Sequence, residues 1–434
     1  MASSGNRRIS GRVAFTYPSF LLYASARFFM VLATEMQSVA VGWQVYDITK
    51  RPLDLGLVGL AQFLPGILLF LVSGHTADRF DRRKVLVSGY LGYALCSSLL
   101  LTITLRGLRS VDLIYGVMFL VGVSSSFTAP ASRGILPLIV SGEHFQNAFA
   151  WAAILFQIAT IVGPAVGGFE YALLSPVAVY SSAVVAGLAA ATMMSLVRFQ
   201  TKQSRPRETR DWRTFLAGLH YIREHKIVLG SISLDLFAVL LGGAVALLPV
   251  YAREILKTGP WGLGLLRCSP GIGAASMAMF VAYRPLRKKA GAKMLWCVAG
   301  FGIFTIIFGI SHNLILSMFA LVLVGATDMV SVVIRGVLVQ LATPDEMRGR
   351  VNAVDMIFIG ASNQLGQFES GVTAAWFGTV PAVILGGIGT LVVTALWAWM
   401  FPELRNADTL TVPQLEKTIA ASEAAGHSVT GEAD

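Results

Sequence analysis

Long apolar segments alternate with short polar loops along most of this 434-residue chain. Apolar runs close to the ~20 residues that a helix needs to cross a bilayer recur twelve times. The pattern predicts an all-α membrane protein with twelve transmembrane helices. The predicted spans lie near residues 20–46, 55–75, 85–105, 111–133, 147–171, 176–197, 227–250, 261–283, 294–311, 314–340, 352–377 and 381–401.

Composition narrows the class of protein. Hydrophobic residues make up 55% of the chain and charged residues only 13%, whereas soluble proteins average about 25% charged residues. The net charge of +10 would suit a nucleic-acid partner if the cations were clustered on a soluble module. Here they lie in short loops between apolar runs, which is typical of membrane topology. The sequence therefore predicts a lipid bilayer as partner and no nucleic acid.

The distribution of basic residues predicts the orientation. If both termini are cytoplasmic, six of the 34 Lys and Arg residues fall in outer loops, three fall within spans, and the other 25 fall in cytoplasmic segments. An excess of positive charge in short loops marks the cytoplasmic side. The start of the chain also lacks the short apolar core and cleavage site of a signal peptide. We therefore expect both termini in the cytoplasm.

One long polar connection divides the spans into two sets of six. The predicted organisation is a cytoplasmic N-terminus at 1–19, an N-terminal six-helix half at 20–197, a cytoplasmic linker at 198–226, a C-terminal six-helix half at 227–401 and a cytoplasmic tail at 402–434. Apolar residues at helical spacing in the linker predict an amphipathic helix on the membrane surface. Two roles are consistent with such a helix: it could tether the two halves, or it could bind a partner. These apolar residues are Trp212, Phe215, Leu216, Leu219 and Ile222.

The two halves repeat each other at a shift of about 205 positions. An ordered glycine and proline pattern followed by four cations recurs at fixed distances, which chance matches of glycine do not explain. Parallel repeats are a known transporter design, so we predict two pseudo-symmetric halves. The matching pairs are Gly59 and Gly264, Gln62 and Arg267, Pro65 and Pro270, Arg79 and Arg284, Arg82 and Arg287, Arg83 and Lys288, Lys84 and Lys289, Gly163 and Gly366, and Gly168 and Gly371.

A cationic loop closes the first copy of this repeat. Positive charge at a membrane boundary explains its arginines, but Asp78 adds nothing to orientation. Asp78 can instead accept hydrogen bonds from free N–H groups at the start of another helix. The second copy has Tyr283 at the matching position, so this interaction would be one-sided. The loop residues singled out are Gly74, Asp78, Arg79, Arg82 and Arg83.

The fifth predicted span contains the string Gly163-Pro164-Ala165-Val166-Gly167-Gly168. Proline removes a backbone donor and bends a helix, whereas glycine lets a neighbouring helix approach closely. We expect Gly163, Pro164, Gly167 and Gly168 to shape a helix contact. Ordinary small-residue packing is the alternative explanation.

Ionisable residues inside predicted spans are the third group of interest. A charge at that depth costs at least ~2.5 kcal/mol on the mildest insertion scale, so it usually faces a partner or a watery cavity. Acids in such a place are candidates for carrying a proton. The group contains the proton-coupling candidates Asp235, Asp328 and Glu35, their charge partners Arg267, Arg335 and Arg27, and Glu369.

Two interpretations of these acids remain open. In the first, an acid exchanges a proton for substrate. In the second, static ion pairs hold the charges, with Arg335 near Asp328 or Arg267 near Asp235. For Glu369 we expect a packing role.

These motifs resemble those of the major facilitator superfamily. The cationic loop matches its signature Gly-x-x-x-Asp-Arg-x-x-Arg-Arg, which in that family resembles a latch between the halves on the inner side. The string at 163–168 is similar to the fifth-span motif of its antiporters and exporters. The resemblance implies the major facilitator fold, alternating access, and a central cavity lined by spans one, four, seven and ten.

Five further strings resemble one bacterial subgroup, the enterobactin-exporter-like transmembrane secretion effectors. The resemblance implies a multi-pass protein of the bacterial cytoplasmic (inner) membrane. It also implies export of a siderophore, macrolide or other medium-sized organic molecule. The strings are Val41–Asp47, Leu234–Phe237, Leu247–Pro249, Pro344–Asn352 and Phe401–Leu404.

The expected function is secondary active transport, in the form of proton-coupled efflux of a small amphipathic, siderophore- or drug-like molecule. No phosphate-loop motif Gly-x-x-x-x-Gly-Lys-Ser/Thr occurs, so we expect no ATP hydrolysis by this chain. We expect no catalytic residues, cofactor or metal, and a monomer whose partners are a small molecule and H⁺. An importer or facilitator remains an alternative, as does a sensor or scaffold built on a transporter fold.

Overall fold

The computed structural model describes residues 13–199, 212–284 and 289–407, and within these ranges it contains helices and no strands. The first eight α-helices are α1 (Pro18–Thr49), α2 (Pro52–Leu68), α3 (Phe70–Arg79), α4 (Arg82–Leu105), α5 (Val111–Arg133), α6 (Leu136–Ile139), α7 (Phe145–Leu173) and α8 (Pro176–Ser195). The others are α9 (Trp212–Glu224), α10 (Lys226–Leu241), α11 (Leu248–Val250), α12 (Pro260–Tyr283), α13 (Ala290–Ile310), α14 (Leu314–Ala342), α15 (Asp345–Phe377), α16 (Thr379–Met400) and α17 (Pro402–Arg405).

Ten helical segments of the described chain are long and apolar enough to cross a membrane. The second and eleventh predicted spans are not among them. The helix α2 is apolar but only 17 residues long, and a turn at Leu69 separates it from α3. The helix α15 is 33 residues long but begins with the acids Asp345 and Glu346. The all-α membrane fold is therefore confirmed, whereas the number of twelve spans stays a prediction.

Several helices begin where the sequence carries a start signal. Proline occupies the first helical position of α1, α2, α8 and α12, where its missing N–H costs no helical hydrogen bond. Asn313 caps α14 by accepting hydrogen bonds from the N–H groups of Ile315 and Leu316. Lys50 ends α1 in the left-handed conformation, so the chain turns directly into α2.

The seventh predicted span, expected to be continuous over 227–250, is broken. Helix α10 ends at Leu241, and a 3-10 turn (Ala244–Leu247), α11 and a π-helical turn (Tyr251–Ile255) follow. A Cβ on Gly243 would stand 2.9 Å from the carbonyl oxygen of Gly366, so only glycine allows α15 to approach this closely. The Ser370 hydroxyl donates to the Gly243 carbonyl at 3.1 Å. The neighbouring helix α15 thus provides a hydrogen-bond donor for a backbone carbonyl that the break leaves without a helical partner.

Close helix contacts repeat with the same pseudo-symmetry as the sequence. A Cβ on Gly168 of α7 would stand 2.8 Å from the Cα of Gly264 on α12. In the second copy, a Cβ on Gly371 of α15 would stand 3.0 Å from the Cα of Gly56 on α2. Each contact joins a helix of the first six predicted spans to one of the last six. The fold therefore has two pseudo-symmetric halves, N-terminal and C-terminal, joined by glycine-mediated contacts.

The bundle has two ends, which we name by their connections. The linker face carries the connections around 80–81, 134–144, 196–199, 225 and 343–344, and the far face carries those at 50–51, 106–110, 174–175, 256–259, 311–313 and 378. At the far face the Arg253 Nη1 lies 2.5 Å from the Asp47 Oδ1, and its guanidinium lies over the Trp43 ring. Gly42 packs on Pro249 nearby. These contacts also join the two halves, so the far face is closed.

We predict that Gly264→Val destabilises the protein by about 1–3 kcal/mol, because a Cβ there would stand 2.6 Å from the carbonyl oxygen of Pro164. The measurement is the thermal unfolding temperature of the purified protein in detergent. Gly336→Val is the matched control, since it places the same side chain mid-helix where a Cβ meets nothing within 4 Å. Equal unfolding temperatures for the two variants would show that this helix contact does not hold the far face together.

Candidate functional site

A buried arginine joins three helices of the C-terminal half. Arg335 on α14 is only 4% exposed. Its Nη2 lies 3.2 Å from the Oδ2 of Asp235 on α10, and its Nη1 lies 2.7 Å from the Oδ1 of Asp355 on α15. Its Nε has no hydrogen-bond partner among the described residues. One guanidinium thus bridges two carboxylates at depth, where unpaired charges are costly.

A third carboxyl group lies beside this pair. Asp328 precedes Arg335 by two turns on α14 and lines a narrow cavity of about 10 Å³ together with Asp235, Ser331 and Phe301. Within the described chain, no ion pair closer than 4.0 Å joins Asp328 to Arg335. The predicted pairing of Arg335 with Asp328 is therefore replaced by pairing with Asp235. The arrangement holds three carboxyl groups around one cation.

A second polar site lies between the halves. The Nη1 of Arg267 on α12 donates to the Oγ of Ser38 on α1 at 2.7 Å. Glu35 lies one turn before Ser38 on α1. Arg267 also lines a cavity of about 50 Å³ with Gln62. The structure therefore brings Arg267 to α1, one turn from Glu35, rather than to Asp235.

Two other singled-out residues lie apart from both sites. The guanidinium carbon of Arg27 lies 5.0 Å from the centre of the Phe156 ring, which is a cation–π contact. Glu369 accepts a hydrogen bond from the Thr373 hydroxyl at 2.7 Å within α15. The predicted charge partnership of Arg27 with an acid is not seen among the described residues.

The cationic loop is fastened to its own half. The Arg82 Nη1 donates to the Gly134 carbonyl at 2.5 Å, and the Arg83 Nη1 donates to the Val197 carbonyl at 3.2 Å. These carbonyls lie just beyond the ends of α5 and α8, where a cation is favourable. Arg79 is exposed in the last turn of α3. Asp78 belongs to the same turn, but its side chain lies outside the described part of the chain, as do Arg287 and Lys288 of the second copy.

The string in the fifth predicted span is a contact surface with two sides. A Cβ on Gly163 would stand 2.6 Å from the Cβ of Glu35, and a Cβ on Gly167 would stand 2.6 Å from the Cα of Met36. On its other side α7 meets α12, where Pro164 and Gly168 lie against Gly264. The string therefore packs α7 against α1 of its own half on one side and against α12 of the C-terminal half on the other.

A cavity of about 570 Å³ opens between the halves on the side of the linker face. Its walls come from α2, α3 and α5 of the N-terminal half and from α15 of the C-terminal half. The resemblance implied a cavity lined by spans one, four, seven and ten, and of these only the fourth, α5, lines this one. The lining includes Gln62, Phe70, Ser126, Asn363 and Gln364.

Asp355 is the site residue that sequence reasoning missed. It lies near the start of the predicted eleventh span, where a carboxylate looks like part of the acidic loop before it. A signal was nevertheless present, because α14 and α15 are consecutive helices joined at Thr343–Pro344. Residues at similar distances from that connection lie at similar depths, which puts Asp355 within reach of Arg335.

Solved structures with this architecture are membrane transporters. A mutant form of nucleoside transporter NupG superimposes with a TM-score of 0.70 at 12% identity and covers 88% of this chain and 100% of its own. A mutant of peptide transporter POT in complex with sulfate superimposes with a TM-score of 0.69 at 12% identity and covers 90% of this chain and 95% of its own. A bacterial homologue of iron transporter ferroportin in an inward-facing state superimposes with a TM-score of 0.66 at 14% identity and covers 88% of this chain and 99% of its own. These likenesses show the fold of the major facilitator transporters.

The family follows from the sequence comparisons. A family model described as transmembrane secretion effector matches residues 14–424, and the chain belongs to that family. Enterobactin exporter EntS of Shigella boydii serotype 4 (strain Sb227) is 26% identical over 411 residues, covering 90% of this chain and 94% of the relative. Enterobactin exporter EntS of Escherichia coli O1:K1 / APEC gives the same identity and coverage. The family defines a multi-pass membrane transporter.

We predict that Arg335→Met destabilises the protein by about 3–5 kcal/mol, because it leaves buried Asp235 and half-buried Asp355 without a counter-charge. The thermal unfolding temperature in detergent measures this loss, and adding Asp235→Asn and Asp355→Asn should restore much of it. Lys226→Met is the control, because its ion pair with Glu403 is exposed and stabilises by at most about 1 kcal/mol. An Arg335→Met variant as stable as the control would mean that the buried pairs have no structural role.

Proposed function

We propose that this chain is a proton-coupled exporter that moves a small amphipathic organic molecule, siderophore- or drug-like, by alternating access. The observation that carries the proposal is the contrast between the two ends of the bundle. Close glycine contacts and an ion pair seal the halves at the far face, while a cavity opens between them towards the linker face. The relatives named enterobactin exporter favour outward movement of a siderophore-like cargo.

The orientation in the membrane decides which compartment the open end of the bundle faces. The excess of Lys and Arg in the connections of the linker face supports a cytoplasmic linker face, with both termini on that side. The described conformation is then open to the cytoplasm, where an exporter takes up its cargo. Release requires the far-face contacts at Gly168 and Gly264 to separate and the linker face to close. Rocking of one half against the other achieves both changes at once.

The cationic loop and the Gly/Pro string supply the closing surfaces in this proposal. We assign to Asp78, in the last turn of α3, the acceptance of hydrogen bonds from free N–H groups in the first turns of α15 when the linker face closes. Arg82 and Arg83 hold the loop on its own half. Gly168 and Gly264 keep the far-face contact flat, so that the two helices can separate without unfolding.

Proton coupling is assigned to the carboxyl groups around Arg335. One guanidinium neutralises one carboxylate, so protons on the other acids lower the charge that the apolar interior must hold. Gain or loss of a proton at Asp235, Asp328 or Asp355 would therefore change how strongly α10, α14 and α15 hold together. Inward movement of one elementary charge along the membrane potential supplies about 2.3 kcal/mol per 100 mV. Glu35 and Arg267, between the halves, form a second candidate relay.

We predict that cells producing the protein retain less cargo than cells with the empty vector. Asp235→Asn and Asp328→Asn should each return retention to the vector level, because a carboxamide cannot exchange a proton. The measurement is cell-associated and secreted enterobactin in a bacterial host that lacks its own exporter, with a panel of fluorescent drugs run in parallel. Glu403→Gln is the control, since it removes an exposed carboxylate of the linker face.

The same assay separates the alternatives. Greater retention on production of the protein would indicate an importer or facilitator, and no change for any compound would favour a sensor or scaffold. If both asparagine variants still expelled cargo against its gradient while present in normal amounts, coupling through the Arg335 group would be wrong.

A further inference from the structure

Two cavities between the halves lie end to end, and we name the one of about 570 Å³ the open cavity and the one of about 50 Å³ the inner cavity. Gln62 of α2 lines both. On α5, Met118 lines the inner cavity and Gly122, one turn later, lines the open cavity. On α15, Gln367 lines the inner cavity and Gln364, one turn earlier, lines the open cavity. Three helices thus pass from one cavity to the other, and Gln62 lies between the two.

The inner cavity presents hydrogen-bond donors, one of which is cationic. Its polar lining consists of Ser38, Gln62, Arg267 and Gln367, and no acid is among the described residues that line it. The Arg267 Nη1 donates to the Ser38 Oγ at 2.7 Å, whereas its Nε and Nη2 donate to no described residue. Neither of these two nitrogens is fully buried, so a molecule in the inner cavity can reach them. The Ser38 hydroxyl accepts from Arg267 and still has its own proton to donate.

The charge of Arg267 has no counter-charge in contact with it. No carboxylate oxygen of the described chain lies within 4.0 Å of its guanidinium. Glu35, one turn from Ser38 on α1, lies against Gly163 of α7 instead. A cation between apolar helices is costly unless an anion pairs with it. An anionic group in the inner cavity would supply that charge and accept from the free N–H groups of Arg267.

The polar lining of the inner cavity comes from both halves. Ser38 and Gln62 belong to the N-terminal half, and Arg267 and Gln367 belong to the C-terminal half. Gln62 and Arg267 are also matching positions of the sequence repeat, so one site faces the cavity with an amide and its equivalent with a cation. An anion held here would therefore contact both halves while the linker face is open.

We infer that the inner cavity binds a carboxylate-sized anionic group of the cargo through Arg267 and Ser38, while the body of the same molecule occupies the open cavity. The inference deepens the proposed function and rests on it, because it names the charge that the cargo carries. The volume of the open cavity, about 570 Å³, lies within the ~300–1,000 Å³ that is typical of small-molecule sites. Apolar side chains such as Phe63 and Ile67 line it, and no ionisable side chain is among its described lining residues.

Gly360 provides a reporter inside the open cavity. It lines the wall on α15, and a Cβ there meets nothing within 4 Å, so a cysteine fits without displacing other atoms. Gly360→Cys is made in the full chain with Cys96, Cys268 and Cys297 replaced by alanine, which we call the cysteine-free chain. The rate of its alkylation by N-ethylmaleimide is then measured in detergent. Gly336→Cys is the matched control, being equally free of contacts and outside the cavity lining.

Three probes share one ring and differ in charge. At neutral pH 1-naphthaleneacetate is an anion, 1-naphthaleneacetamide has the same shape without the charge, and 2-(1-naphthyl)ethylamine is a cation. We expect the carboxylate to slow alkylation at Gly360→Cys at a concentration about tenfold below that of the amide, because hydrogen bonds to a charged group are stronger than neutral ones. The amine should protect least. None of the three should slow alkylation at Gly336→Cys.

Variants of the inner cavity test the assigned residues directly. Arg267→Gln introduces the side chain of the matching N-terminal position, and in it the carboxylate and the amide should protect at the same concentration. Arg267→Lys retains the charge and should retain part of the preference for the carboxylate. Ser38→Ala removes one donor and should raise the concentration of carboxylate that is needed about three- to tenfold. Arg223→Gln is the matched control, since it removes an exposed arginine of α9 and should leave the preference unchanged.

Three results would each overturn the inference: equal protection by carboxylate and amide with Arg267 intact, an unchanged preference in Arg267→Gln, or the same loss in Arg223→Gln. Sodium acetate tests a free anion as the ligand. If acetate raised the thermal unfolding temperature only with Arg267 present, while the carboxylate probe had no advantage over its amide, the site would bind a free anion and not a group of the cargo. The assays need no gradient, so the preference without export would refute only the proposed function, and export without the preference only this site.

Discussion

Arg335 imposes the strongest constraint on this structure, because a buried guanidinium must be neutralised wherever it lies. Asp235 and Asp355 meet that requirement from two different helices, and so fix how α10, α14 and α15 pack together. Asp328 adds a third carboxyl group that one arginine cannot also neutralise. The C-terminal half thus depends on a charge balance that a proton can alter. The coupling that we propose uses the same interaction that holds these helices together.

The halves are alike in packing and unlike in chemistry. Gly168 against Gly264 and Gly371 against Gly56 are corresponding contacts, although the sequence match of Gly264 is Gly59, one turn from Gly56, and both contacts close the far face. Among the described side chains of the N-terminal half, no buried arginine bridges two carboxylates as Arg335 does, and Ser125 and Ser126 of α5 face the cavity. Repeated glycines therefore supply a symmetric frame. The proposed ion site lies within the C-terminal half, whereas the cavity proposed to take up cargo lies between the two halves.

The sequence was sufficient to predict those features that follow from the type and spacing of residues alone. Spaced apolar runs predicted the helices, and matched glycines predicted the pseudo-symmetry that their contacts show. It was insufficient where partners come from distant helices. The break at Gly243 depends on Ser370 of α15, and the pairing of Arg335 with Asp235 depends on how α10 meets α14. Neither spacing nor composition specifies such contacts, because both are set by three-dimensional packing.

Distances between spin labels test most directly whether protonation of the Arg335 group moves the halves. One pair is placed at exposed Phe80 and Glu346 of the linker face, and the other at exposed Leu108 and His312 of the far face, in the cysteine-free chain. The account predicts that, as pH changes through neutrality, one distance lengthens while the other shortens, and that Asp235→Asn removes this response. Distances that ignore pH in the chain with Asp235 intact, or that respond equally after Asp235→Asn, would contradict it.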